Sequence, residues 1–183
     1  MSAASRLRYA YLAYFSKPKA ERKLYRTLKA RRPVRIVELG LKTVERTLRM
    51  IQVAERFAPG QRVEYTGFDR FDARPEDAEP LSLILAYRRL KTTSARIKLI
   101  PGDPAQTLRG AANSLSGVDL LLISGDLDAA AMQASWYYVP RMLHAQTLIL
   151  QMPAADDATG LLAPLAAVEI EHRAQSVPRR RAA

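Results

Sequence analysis

Five short runs rich in β-branched and aliphatic residues, at 34–39, 63–69, 95–100, 118–123 and 147–152, are each separated from the next by a segment of helical character. Each run is too short for an ordinary helix and is stopped by glycine, an acid, serine or proline, the punctuation of a strand passing into a turn. Between the first two runs, Val44, Leu48, Ile51 and Ala54 recur on one face of a helix over 43–57 that Pro59 and Gly60 terminate. After the third run, Gly102, Asp103 and Pro104 supply a turn, an N-cap and a first helical position. Consecutive strands joined by helical crossovers come out parallel, with helices on both faces of the sheet. The expected architecture is therefore a three-layer α/β sandwich around a mostly parallel sheet of five to six strands.

Two further helices are expected before the first run. Leu7, Tyr11, Tyr14 and Phe15 fall at helical spacing, and Ser16 with Pro18 supplies an N-cap and first-turn proline for a basic helix that buries Leu24 and Leu28 and ends near Pro33. Downstream, Pro80 is placed to open a helix carrying Leu81, Ile84, Leu85 and Leu90. A helix from Pro104 to about Leu115 is expected next, then a longer one from about Ala129 to Leu143, kinked or restarted by Pro140. After Met152, Asp156, Asp157 and Gly160 read as a loop. The segment 161–175 reads as a helix, although Val168, Glu169, Ile170 and Glu171 also alternate like a strand. The expected divisions are a basic helical extension at 1–33, an α/β domain at 34–175 and a disordered basic tail at 176–183.

Composition narrows the chemistry. With no cysteine, the chain has no disulfide, no thiolate metal site and no cysteine nucleophile. Arg8 interrupts the apolar stretch at 7–15, which does not read as a signal peptide, and no run of about 18 uncharged apolar residues offers a membrane span. A cytoplasmic location is the expectation. The net charge of +11 is uneven: residues 1–35 carry +10, residues 36–172 carry −3 and residues 173–183 carry +4. Basic ends of this kind suit nucleic acid, an anionic membrane surface or an acidic partner, or are simply solvated charge.

In an open parallel sheet, ligands bind beyond the carboxyl ends of the strands, where the strand order reverses. The residues there are Glu38 and Gly40, Asp69, Asp103, and Ser124 with its neighbours. The ordered series Ile36-Val37-Glu38-Leu39-Gly40, Gly67-Phe68-Asp69, Gly102-Asp103 and Asp119-Leu120-Leu121-Leu122-Ile123-Ser124-Gly125-Asp126 resembles the motifs of class I S-adenosylmethionine (SAM) methyltransferases, over residues 34 to 152. The resemblance implies a Rossmann-like fold and SAM as cofactor. It places Glu38 and Gly40 beside the methionine part of SAM, Asp69 on the ribose hydroxyls and Asp103 near the adenine. On the residues alone, Asp69 is also readable as a turn or capping acid, and Asp103 at least as well as an N-cap.

Departures from that pattern stand beside the matches. Where the family spaces three glycines at alternate positions, this chain has Gly40, Lys42 and Val44. Lys42 either puts a long side chain where the cofactor lies or points into solvent. Where related enzymes read Asp-Gly-Asp-His after the fourth strand, this chain reads Ser124-Gly125-Asp126-Leu127, and neither serine nor leucine supplies the missing ligand or base. Asp126 and Asp128 read as caps, and His144 and His172 as surface residues without motif partners. Trp136, Tyr137 and Tyr138 read as packing against the sheet, with Tyr137 or Tyr138 alternatively facing a partner. The sequence thus carries three readings. The first is a methyltransferase-like domain with impaired SAM binding, retained as a binding or scaffolding module. The others are an active SAM-dependent methyltransferase acting on an unknown protein or small-molecule acceptor, and a basic nucleic-acid-associated protein.

Overall fold

All five expected runs form strands: β1 (Arg35–Leu39), β2 (Glu64–Asp69), β3 (Arg96–Pro101), β4 (Val118–Ile123) and β5 (Leu143–Gln151). In this computed structural model, which describes residues 3–154, 157 and 159–176, they pair in parallel. A short sixth strand, β6 (Ala163–Leu165), runs antiparallel to β5. The order is β3-β2-β1-β4-β5-β6, so strand order reverses between the central pair β1 and β4. This is the expected Rossmann-like arrangement, a mostly parallel six-stranded sheet with one antiparallel edge strand.

Side-chain alternation assigns the helices to layers. Ile36, Leu120 and Leu122 face one core, shared with α1 (Ala3–Tyr14), α2 (Lys19–Arg31) and α3 (Val44–Phe57). Val37, Leu39, Leu121 and Ile123 face the other, shared with α5 (Pro104–Ala111), α6 (Ala129–Gln133) and α7 (Ala167–Gln175). Helix α4 (Leu83–Leu90) packs against α3 and β3 and sends Leu90 into the first core. The outer strand β3 buries Ile97 while Arg96 and Lys98 face solvent, a charged edge that discourages pairing with another chain.

The N-terminal helices belong to the first core. Leu24, Tyr25 and Leu28 are fully buried in it, as expected for the two leucines, and Tyr9, Leu12 and Ala13 join them. Glu21 turns inward, accepting a hydrogen bond from Tyr25 Oη at 2.9 Å, with Arg49 of α3 4.0 Å away. The expected Ser16 cap is not made: its hydroxyl donates back to Leu12 O at 2.5 Å, closing the end of α1, and Pro18 occupies the N-cap of α2 without a side-chain bond.

Three other helix expectations are corrected. Helix α4 begins at Leu83 rather than Pro80, because Asp72 accepts from Leu83 N at 3.0 Å, and Ile84 and Leu85 stay exposed while Ala86 and Leu90 pack inward. The segment expected as one helix over 129–143 is α6 followed by two short 3-10 turns, Ala134–Tyr137 and Val139–Met142, and β5 begins at Leu143. Pro140 removes a donor there and breaks the helix rather than kinking it. Within 161–175, Leu161 and Leu165 precede the helix, which spans Ala167–Gln175 and buries Ile170. Asp156 and residues 177–183 of the expected tail lie outside the described residues.

Candidate cofactor cleft

At the carboxyl ends of β1, β2 and β4 lies a cleft of about 490 Å³, lined by residues including Gly40, Lys42, Asp69, Asp103 and Ser124. Five of the six residues singled out in the sequence therefore meet at one place. The sixth, Glu38, does not line it. Position 38 shares the α3 side of the sheet with Ile36, so its carboxylate points into the core, where it accepts from Thr47 Oγ1 at 2.9 Å, from Tyr65 Oη at 2.6 Å and from Arg46 Nη2. The pair is almost wholly buried, at 3% exposure for the Arg46 side chain and 0% for Glu38. Burial first, and then the neighbouring Glu38 carboxylate, raises the Tyr65 phenol well above its ordinary value, so it remains a protonated donor.

Gly40 ends β1 with φ +76, a conformation suited to glycine. Its N–H donates to Phe68 O at 2.8 Å, and Ser124 N donates to Leu39 O at 2.9 Å, tying the three strand ends together. The space beside its α-carbon is already taken. A Cβ there would lie 2.9 Å from Ser124 Cβ and 3.1 Å from Leu127 Cδ2. The glycine thus admits this chain's own β4 loop to close approach.

Asp69 is the centre of the site. Its Oδ1 accepts from Phe71 N at 2.8 Å and Arg74 Nε at 2.7 Å; its Oδ2 accepts from Leu41 N at 2.9 Å and Arg74 Nη2 at 2.8 Å. Four donors on two oxygens is the capacity of a carboxylate. Arg74 is itself held by Leu41 O and, through Nη1 at 2.8 Å, by Glu79 O. The ion pair is largely buried. Phe71 adopts φ +48, uncommon for a bulky residue, in the turn that Asp69 organises.

Asp103 performs its capping role, accepting from Ala105 N at 2.8 Å, and also receives Arg70 Nη2. Burial pushes its carboxyl up, but the Arg70 and Ala105 hydrogen bonds together outweigh that, and the net direction is below the usual value. Lys42 stands at the rim with its side chain 45% exposed and its Nζ 3.6 Å from Asp126 Oδ2, so it is not a buried ammonium. Ser124 Oγ accepts from Asp126 N at 3.3 Å and shapes that loop. His144 lies away from the cleft, 3.2 Å from Asp119. Among the described residues, no three histidine or acidic side chains gather in a way that could hold a metal ion.

Arg74 escaped the sequence reading because no motif contains it. The available signal was the string Asp69-Arg70-Phe71-Asp72-Ala73-Arg74, in which a strand-ending acid is followed by two arginines within turn distance. Which arginine returns to the acid depends on the turn at Phe71, which charge pattern does not encode.

No protein-family model and no curated protein matches the sequence. Among solved structures, the chain is similar to the SAH-bound Podospora anserina methyltransferase PaMTH1, with 18% identity, 82% of this chain and 62% of that chain covered, and a TM-score of 0.48. It is similar also to cofactor-bound Rv0187 from MTB, at 16% identity, 94% and 75% coverage and a TM-score of 0.49. For the SAM-dependent methyltransferase from Agrobacterium tumefaciens the values are 16%, 70%, 41% and 0.45. The chain spans less than two thirds of the length of the first and third of these proteins. Each likeness is one of fold.

Proposed function

We propose that the chain is a SAM-methyltransferase-like domain whose capacity to bind SAM is impaired, and that it acts as a binding or scaffolding module. The observation that carries this reading is the saturation of Asp69 by Leu41, Phe71 and Arg74. In the family that the motifs resemble, the acid at this position takes both ribose hydroxyls. Here the residues present do not fit that group, because Leu41, Phe71 and Arg74 already fill the acceptor positions of the carboxylate. Leu127 against Gly40 closes the neighbouring backbone in the same way. Displacing Arg74 means breaking a largely buried, bidentate ion pair, a cost of about 3 kcal/mol that would turn a micromolar site into one roughly a hundred-fold weaker.

Isothermal titration of SAM and of S-adenosylhomocysteine tests the reading. The natural protein is expected to bind either one more weakly than about 0.1 mM. Arg74→Ala is expected to gain at least about ten-fold, and Arg74→Ala with Asp69→Ala to lose that gain, since the freed acceptors are then absent. Thermal unfolding of each protein separates lost binding from lost fold. Micromolar binding by the natural protein overturns impairment and favours an active methyltransferase of unknown acceptor.

A further inference from the structure

Helix α1 is apolar on two opposite faces. At 3.6 residues per turn, Tyr9, Leu12 and Ala13 point inward and are buried, whereas Leu7, Tyr11 and Tyr14 point away from the core, with Phe15 continuing their line past the helix end. These four are 71%, 62%, 54% and 69% exposed. Large apolar side chains aligned and exposed together on one face mark a contact surface. The outward stripe is therefore an unpartnered surface about 12 Å long.

What covers it is indicated by its surroundings. Helix α2, packed alongside, presents Lys19, Arg22, Lys23, Arg26 and Lys29 on its outer side, while Leu24, Tyr25 and Leu28 face the core. The apolar stripe and the basic face are contiguous: the Arg26 guanidinium lies 6.0 Å from the Tyr14 ring centroid. Glu21 is the single acid among the first 35 residues, and it is turned inward onto Tyr25. No other acid within these two helices offsets the positive field beside the stripe.

We propose that the α1–α2 hairpin docks on an anionic lipid surface, with Leu7, Tyr11, Tyr14 and Phe15 entering the boundary between headgroups and acyl chains and the α2 bases resting on lipid phosphates. Interfacial helices combine an apolar side with flanking Lys and Arg, and tyrosine is at home at this depth because its ring is apolar and its hydroxyl is wet. The mode is peripheral, since among the described residues no helix is long and apolar enough to cross a membrane. A nucleic acid would engage α2 through its phosphates and leave the α1 stripe without a role. A second copy would cover the stripe but would bring two segments of charge +10 together.

Flotation of the full chain with vesicles tests the proposal independently of the cofactor cleft. The chain is expected to float with phosphatidylcholine vesicles containing about 30% phosphatidylglycerol, not with phosphatidylcholine alone, and to be released by about 0.5 M salt. Lys19→Gln, Arg26→Gln and Lys29→Gln together are expected to weaken binding about a hundred-fold, near five-fold per residue. Leu7→Ser, Tyr11→Ser and Phe15→Ser together are expected to cost at least about as much. All six positions are exposed, and thermal unfolding checks that the variants remain folded. Absence of flotation, or flotation unchanged in either variant, overturns the proposal. So does binding of single-stranded RNA or duplex DNA that survives the serine variant while vesicles are ignored, or a dimer in sedimentation that the serine variant dissolves.

Discussion

Glu38 and Asp69, acids of the adjacent parallel strands β1 and β2, are both held by an arginine, but only Asp69 lines the cleft. Glu38 lies on the α3 side of β1 and is consumed by a buried network with Arg46, Thr47 and Tyr65. Among the described residues, Arg46 Nε and Nη1 find no acceptor, so its charge depends on that one carboxylate. Removing one partner of a buried ion pair leaves an uncompensated charge, which typically costs about 3–5 kcal/mol, whereas replacing both by apolar residues of similar shape is far less costly. Glu38→Ala is therefore expected to lower unfolding free energy by about 3–5 kcal/mol, and Glu38→Leu with Arg46→Met to lower it by much less. Urea denaturation of the single and double variants decides it; equal losses would show that shape, not charge pairing, holds the cluster. The strand acid itself was legible in the sequence. Its direction follows from strand alternation, but its partners come from a helix and a second strand.

At the scale of elements, helix α5 shows how a local signal keeps its meaning in the fold. Asp103 caps it and is joined by Arg70 from the turn after β2. Loss of such a cap costs about 1 kcal/mol, so Asp103→Ala is expected to destabilise by roughly that amount at neutral pH. Because the folded-state carboxyl lies below its usual value, its contribution is fully present above the unfolded value of about 4 and is lost as pH falls through the lower folded value. The stability gap between the natural protein and Asp103→Ala should thus narrow below about pH 4 in acid titrations of thermal unfolding. A gap that stayed constant with pH would leave the charge out of the cap. The strands were legible because a buried parallel strand must be a short apolar run. The 129–143 region was not, since its alanine-rich start has helix propensity but Pro140 and the demand for β5 to begin at Leu143 break it into short turns.

For the whole molecule, the consequential fact is that α1 and α2 supply one wall of a core. Leu24, Tyr25 and Leu28 are wholly buried in the cluster that α3 shares with β1 and β4. Each such side chain contributes about 1.5–3 kcal/mol, and a domain's net stability is only about 5–15 kcal/mol. Deleting residues 1–32 is therefore expected to abolish cooperative unfolding and to expose an apolar face that binds a hydrophobic dye. A truncated chain with a sharp urea transition close to that of the full chain would instead make the two helices an appendage. Charge count alone marks this segment as basic, and it is both: its inner side is core and its outer side carries the field.

The sequence by itself determined the alternation of five strands with helices, the parallel sheet and the end of the sheet at which a ligand would sit. Those follow from period, turn residues and the handedness of crossovers, which are local or topological rules. It also brought five of six candidate residues to one cleft, since strand ends in a parallel sheet share an edge. Only the tertiary structure decided what those residues do. Whether Asp69 faces a ligand or Arg74 depends on a turn five residues long closing back on the strand, and whether Gly40 opens a space depends on Leu127 arriving from a loop far along the chain. A carboxylate has a fixed number of acceptor positions, and which donors fill them is settled by distances between segments that no local pattern specifies.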